Sequence, residues 1–194
     1  IPHPSNSRPT APFNSWDPLG TAVLVHTSTD LDESGASYYG QTHLYLLSAD
    51  GKVTVTVQEG AILDAQWSPS LSGPTCNRFI VIHGENARPD ISVYSMSGEM
   101  MKQIGETLES KPANHIYWAP QGQFCVFAGL QSPALNGVLE FWDINAMEMM
   151  GYQEHLMCTN VAWDPTGRYV ATFVSVLRQT TPMENGFNIY TSQG

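Results

Sequence analysis

Apolar and polar residues alternate along the chain in short runs that end in tryptophan, as in Ile62-Leu63-Asp64-Ala65-Gln66-Trp67 and Thr159-Asn160-Val161-Ala162-Trp163. A period of two marks a half-buried strand. Each tryptophan then opens a turn: Trp16-Asp17-Pro18-Leu19-Gly20, Trp118-Ala119-Pro120-Gln121-Gly122 and Trp163-Asp164-Pro165-Thr166-Gly167. Proline presets φ at the first corner of such a turn, and glycine supplies the position where φ is positive. The next run is almost wholly apolar (Ala22-Val23-Leu24-Val25, Phe79-Ile80-Val81-Ile82, Phe124-Cys125-Val126-Phe127, Tyr169-Val170-Ala171), the pattern of a strand buried on both faces. After a variable connection a third run ends in an aromatic or apolar group: Leu44-Tyr45-Leu46-Leu47, Ile91-Ser92-Val93-Tyr94, Leu139-Glu140-Phe141-Trp142, Asn188-Ile189-Tyr190. A tight turn such as Ala49-Asp50-Gly51 leads to a fourth, clearest in Lys52-Val53-Thr54-Val55-Thr56-Val57.

The tryptophans at 16, 67, 118 and 163 return at intervals of roughly 45 to 51 residues. Four antiparallel strands at that period make the blade of a β-propeller. The sequence therefore predicts an all-β chain of about four WD40-like blades, at residues 13–58, 59–105, 106–152 and 153–194, belonging to a larger ring. The first blade has a short first strand, the second carries an insertion at 71–76, and the fourth lacks its last strand. Residues 1–12 hold four prolines without periodicity and read as a flexible or extended lead-in. The start at Ile1 suggests a piece of something longer.

Composition narrows the function classes. The net charge of −10 argues against autonomous, sequence-independent nucleic-acid binding, which needs a basic footprint. It suits a partner with a basic surface. Cys76, Cys125 and Cys158 are odd in number and lack metal spacing, so they read as reduced thiols in a reducing compartment. No run approaches the roughly 18 apolar residues of a membrane span.

The long connections, 28–42, 84–89, 129–137 and 175–186, join second to third strands and emerge on one face. Variable loops on a rigid scaffold are where binding concentrates. That face collects Asp30, Asp32, Glu33, Glu59, Glu85, Glu106, Glu109, Glu154 and Glu184 against Arg88, Lys111 and Arg178, and should be acidic. Candidate binding residues are Asp30, Asp32, Glu33, Tyr38, Tyr39, Arg88 and Arg178. Tyr38 and Tyr39, between Gly35 and Gly40, could stack on bases or anchor an interface, or fold back on their own blade. Arg168 belongs to the opposite face. No phosphate loop, zinc-protease motif or nucleophile elbow is present, so no catalytic residue, metal or cofactor is assigned. His26 and His83 hold equivalent strand-end places and read as structural rather than as metal ligands, because Ala128 and Phe173 stand there in the later units. Met100, Met101, Met147, Met149 and Met150 read as filling between blades.

Ala22 to Val25, Ser28-Thr29-Asp30-Leu31-Asp32 and Gly35-Ala36-Ser37-Tyr38-Tyr39-Gly40 resemble the middle of the eukaryotic translation initiation factor 2A family, and the likeness runs from about Phe13 to Gly194. His83-Gly84-Glu85 and the turns after Trp118 and Trp163 are also similar to the propeller in the b subunit of eukaryotic initiation factor 3. Either resemblance implies a nine-bladed propeller, in a non-enzymatic cytoplasmic factor that docks on the small ribosomal subunit through basic ribosomal proteins or rRNA. The first implies help in delivering initiator methionyl-tRNA. Contacts with tRNA, mRNA and other initiation factors would lie largely in regions absent from this chain. A propeller enzyme or gating domain is the alternative from another class; it predicts convergent carboxylates or histidines in a central funnel, which the repeat does not offer.

Overall fold

A computed structural model describes residues 13–28, 42–74, 76–84, 88–132, 134–175 and 186–194. The described residues are all strand, turn and loop. The first sheet is β1 (Asn14–Trp16), β2 (Ala22–Ser28), β3 (Thr42–Ser48) and β4 (Thr54–Glu59). The second is β5 (Ile62–Trp67), β6 (Arg78–His83), β7 (Asp90–Ser97) and β8 (Met100–Leu108). The third is β9 (His115–Trp118), β10 (Phe124–Gly129), β11 (Val138–Asp143) and β12 (Glu148–Glu154). The fourth is β13 (Asn160–Trp163), β14 (Tyr169–Phe173) and β15 (Phe187–Thr191). Within each sheet consecutive strands pair antiparallel, without crossovers. The first strands β1, β5, β9 and β13 are neighbours in that order, so the sheets stand around a common axis as propeller blades.

The core lies between blades, in three layers. Leu24, Leu44 and Leu46 of the first blade meet Trp67, Phe79, Val81 and Tyr94 of the second. Ile80, Ile82, Ile91 and Val93 of the second meet Ile116, Cys125, Phe127 and Trp142 of the third. Val126, Ala128, Leu139 and Phe141 of the third meet Val161 and Val170 of the fourth. Strands β6 and β10 thus feed both neighbours from alternate residues, which is why their sequences are continuous apolar runs.

Among the described residues the arc is open at both ends. Phe187 and Ile189 pair with Phe173 and Ala171 just as Leu139 and Phe141 pair with Ala128 and Val126. Leu139 and Phe141 are sealed by the fourth blade at 0% exposure, whereas Phe187 and Ile189 are 73% and 64% exposed. At the other end Trp16 is 56% exposed, against 7% for its counterpart Trp67.

Candidate interaction surface

The tryptophans form a staircase. Trp67 Nε1 donates to the carbonyl of Ser15 at 3.0 Å, Trp118 Nε1 to that of Gln66 at 3.4 Å and Trp163 Nε1 to that of Tyr117 at 2.9 Å. Each acceptor directly precedes the tryptophan one blade back. A buried indole N–H needs a partner, and the repeat provides one from the neighbouring backbone. Trp118 and Trp163 are half-buried, and their rings border, with Pro69 and Pro120, a shallow groove of about 440 Å³.

The turns after the tryptophans stack in the same order. Gly122 and Gly167 have φ of +73° and +69°, as the Pro-x-Gly pattern predicts. They are also buried against the preceding turn: a Cβ on Gly122 would strike Ser68 and Ser70, and one on Gly167 would strike Gln121. Gln121 Nε2 in turn donates to the Thr166 carbonyl at 2.8 Å. Where aspartate precedes proline it caps the turn. Asp17 accepts from the amides of Thr21 at 2.6 Å and Ala22 at 2.8 Å, and Asp164 from those of Thr166 at 3.0 Å and of Arg168 and Tyr169 at 2.8 Å. The Thr166 hydroxyl, then the Tyr169 amide, holds Asp164 down at a pKa of about 2. Arg78 joins blades on this face by donating from Nη1 to the Ile144 carbonyl at 3.2 Å.

On the long-loop face, Arg88 is exposed. The residues beside it are fixed to the link between the second and third blades: Lys111 N donates to the Pro89 carbonyl at 2.7 Å and Ser110 N to Asp90 Oδ1 at 2.9 Å. Lys111 is not the free surface cation its sequence position suggests. Its ammonium lies 3.3 Å from the buried carboxylate of Glu140 and 4.8 Å from the Trp142 ring centroid. Trp142 Nε1 donates to the same Glu140 oxygen at 2.9 Å. Beside this knot Tyr152 Oη donates to Glu154 Oε1 at 2.7 Å, which raises the phenol's pKa, while Arg88 pulls it the other way. The remaining candidates, Asp30, Asp32, Glu33, Tyr38, Tyr39 and Arg178, lie outside the described residues, as do Glu85, Glu184 and the lead-in 1–12.

His83 and His155 are tied into strand-end networks. His83 Nε2 is 2.9 Å from Ser92 Oγ, which is 3.2 Å from Thr107 Oγ1; His155 Nδ1 is 2.7 Å from Thr172 Oγ1. Burial lowers the His83 pKa, partly offset by Asp90. Ser92 is buried in the sheet, so the His83–Ser92 pair does not present a nucleophile to solvent. His26 is buried beside the Phe13 ring. Among the described residues no three His, Cys, Asp or Glu side chains gather as a metal site. Sequence reasoning missed Asp64, whose carboxylate accepts from the Ile116 amide of the next blade at 2.8 Å and whose pKa burial raises. The signal was an acidic residue inside an alternating, half-buried run.

The profile of the family described as "Eukaryotic translation initiation factor eIF2A" matches residues 13–194, the whole of the repeat. The chain belongs to this family. Eukaryotic translation initiation factor 2A of Dictyostelium discoideum is 34% identical over 175 residues, 90% of this chain and 26% of its own length. The B subunit of eukaryotic translation initiation factor 3 from Nicotiana tabacum is 41% identical over 133 residues, 66% of this chain and 17% of its own. The chain thus spans about a quarter or less of these relatives. Among solved structures, one described as the crystal structure of the eukaryotic initiation factor superposes with a TM-score of 0.74 at 19% identity, over 95% of this chain and 40% of that one. Sqt1 of Chaetomium thermophilum, bound to the N-terminus of the ribosomal protein L10, superposes with a TM-score of 0.54 at 17% identity, over 83% of this chain and 42% of that one. At these identities the structures speak for the propeller fold alone.

Proposed function

We propose that the chain is part of the rigid propeller scaffold of a cytoplasmic, non-enzymatic translation initiation factor that docks on the small ribosomal subunit and assists delivery of initiator methionyl-tRNA. The observation that carries this reading is the family match across all four blades. The geometry supports a scaffold: blades are locked by apolar layers, a tryptophan staircase and stacked turns. With a net charge of −10, the partner chemistry that fits is basic ribosomal-protein surface rather than bare rRNA. A propeller of similar fold, Sqt1, is seen with the N-terminus of a ribosomal protein. Contacts with tRNA, mRNA and other initiation factors would lie largely in regions of the relatives that this chain does not span.

The test is sedimentation of the intact protein with purified small ribosomal subunits, with and without initiator tRNA. Co-sedimentation is expected, together with stimulated tRNA retention; its absence at physiological salt overturns the reading. The likeness to a component of initiation factor 3 favours a second reading, a scaffold within a multi-protein factor. Under that reading the intact protein elutes from cell extract in a stable assembly with other initiation-factor components, rather than alone.

A further inference from the structure

The regular stacking of turns breaks between the first and second blades. Gly122 and Gly167 sit tight against the turn before them, but in the second blade the sequence carries an insertion at 71–76, and Gly73, with φ of +85°, meets open space rather than the first blade. Ser68 and Ser70 face Gly122 of the third blade instead, and Ser70 folds onto its own loop through a bond from Oγ to the Ser72 carbonyl. A groove of about 520 Å³ is left between the two blades on the turn face. Its apolar walls are Leu19, Val53, Trp67 and Met96, and Asp50 and Glu99 stand at its rim. Leu19 is half exposed although it lies beside this apolar wall.

The charge of the groove says what fits it. Its lining contains Asp17, Asp50 and Glu99 and no lysine or arginine. Asp17 is consumed inside its turn and Asp50 lies 3.0 Å from Lys52, so Glu99 is the carboxylate left to solvent, and the rim stays negative with Lys52 included. The apolar floor asks for an apolar side chain, and the rim for flanking cations. We propose that this groove binds an extended basic peptide segment, one apolar side chain seated between Leu19 and Met96 and a flanking lysine or arginine paired with Glu99. Such a segment would add a second contact to the proposed function, on the face opposite the long loops. The groove's chemistry is independent of that function, and its test needs no ribosome, so the two can fail separately.

The probe is a short fluorescein-labelled peptide of lysine, arginine and glycine with one central leucine, titrated into the intact protein and read by anisotropy. Glu99→Lys and Leu19→Asp change exposed side chains. Each should raise Kd about tenfold, and Glu109→Lys, the same charge change on the other face, should leave Kd within about twofold. Replacing the peptide's leucine by glycine should also weaken binding about tenfold against unaltered protein, a readout that no folding defect can mimic. Equal weakening by Glu99→Lys and Glu109→Lys, indifference to the peptide's leucine, or no binding of the probe by the unaltered protein overturns the proposal.

Discussion

The indole of Trp163 donates to the carbonyl of Tyr117, one blade away, at 2.9 Å. The bond fixes the height of one blade against the next, because the acceptor is the residue directly before the equivalent tryptophan of the preceding repeat. It also makes the tryptophan more than a hydrophobic wedge. Removing it deletes a hydrogen bond between blades as well as leaving a void.

Trp67, the most enclosed of the repeat tryptophans, tests this in the 194-residue chain. Trp67→Ala should cost about 3–5 kcal/mol. Trp67→Phe keeps the aromatic packing against Phe79 and should cost about 1–2 kcal/mol, mostly the lost bond to Ser15. Trp16→Ala should stay within about 1 kcal/mol, since Trp16 is exposed. Urea midpoints that rank Trp16 level with Trp67 would refute the staircase.

The turn glycines should fall in a definite order. Gly20→Ala meets open space and should cost about 1 kcal/mol for its positive φ alone. Gly167→Ala must also displace the end of the Gln121 side chain, which can swing away, for about 1–2 kcal/mol. Gly122→Ala runs into Ser68 and Ser70, with the Ser70 backbone amide behind at 3.2 Å, and should cost about 3 kcal/mol or more. Equal unfolding midpoints for the three variants would count against stacked turns.

Much of this fold was legible in the sequence for a physical reason. A repeat writes its period into the chain, and strands buried on both faces must be apolar throughout, so Phe79 to Ile82 and Cys125 to Ala128 announced themselves. The staircase was half legible: the tryptophans stood out, but their acceptors are backbone atoms, which carry no sequence signal. The Lys111–Glu140–Trp142 knot was not legible. Lys111 sits in a link that reads as solvent-exposed, and only the crossing of two blades brings it onto Glu140. The groove was visible as a broken pattern at 71–76, while its walls come from three distant turns.

Acid should act on the turn caps in a predictable direction. Asp164 titrates at about 2 in the fold, below its ordinary value of 3.8, so its contribution is complete above about pH 4 and disappears as pH falls toward 2. Asp64 works oppositely. Its raised pKa means that the folded state takes up a proton more readily than the unfolded chain, so its charge destabilises the fold as pH rises through that value. Asp164→Asn should therefore lower the urea midpoint at pH 6 and converge on the unaltered protein near pH 2. A constant difference across that range would show that the cap is not electrostatic.

Lys111 and Glu140 should behave as a unit. Lys111→Met strands a buried carboxylate and should cost about 1–3 kcal/mol, discounted for the partial exposure of the lysine. The double variant Lys111→Met with Glu140→Leu removes both charges and should recover most of that loss, leaving the Trp142 N–H to be satisfied. Additive losses in the double-mutant cycle would show that the two groups do not interact.

The long-loop face should discriminate between protein and RNA. Phosphate contacts need cations, and of the two described there, Lys111 is committed to Glu140 and only Arg88 stands exposed. Against RNA, the excess of carboxylates repels over about 8 Å at physiological salt, so naked rRNA or tRNA should bind the chain poorly. Against a basic protein surface the same charges steer encounter. Reversing Asp30, Asp32 and Glu33 to lysine should slow association with the small ribosomal subunit several-fold at low salt, and rising salt should erase the difference, as expected of steering rather than of contact. Stopped-flow association at two ionic strengths measures this directly. Sub-micromolar, salt-sensitive binding of the chain to naked RNA, weakened by Arg88→Ala and Arg178→Ala, would instead move the site onto those arginines and make the partner a nucleic acid.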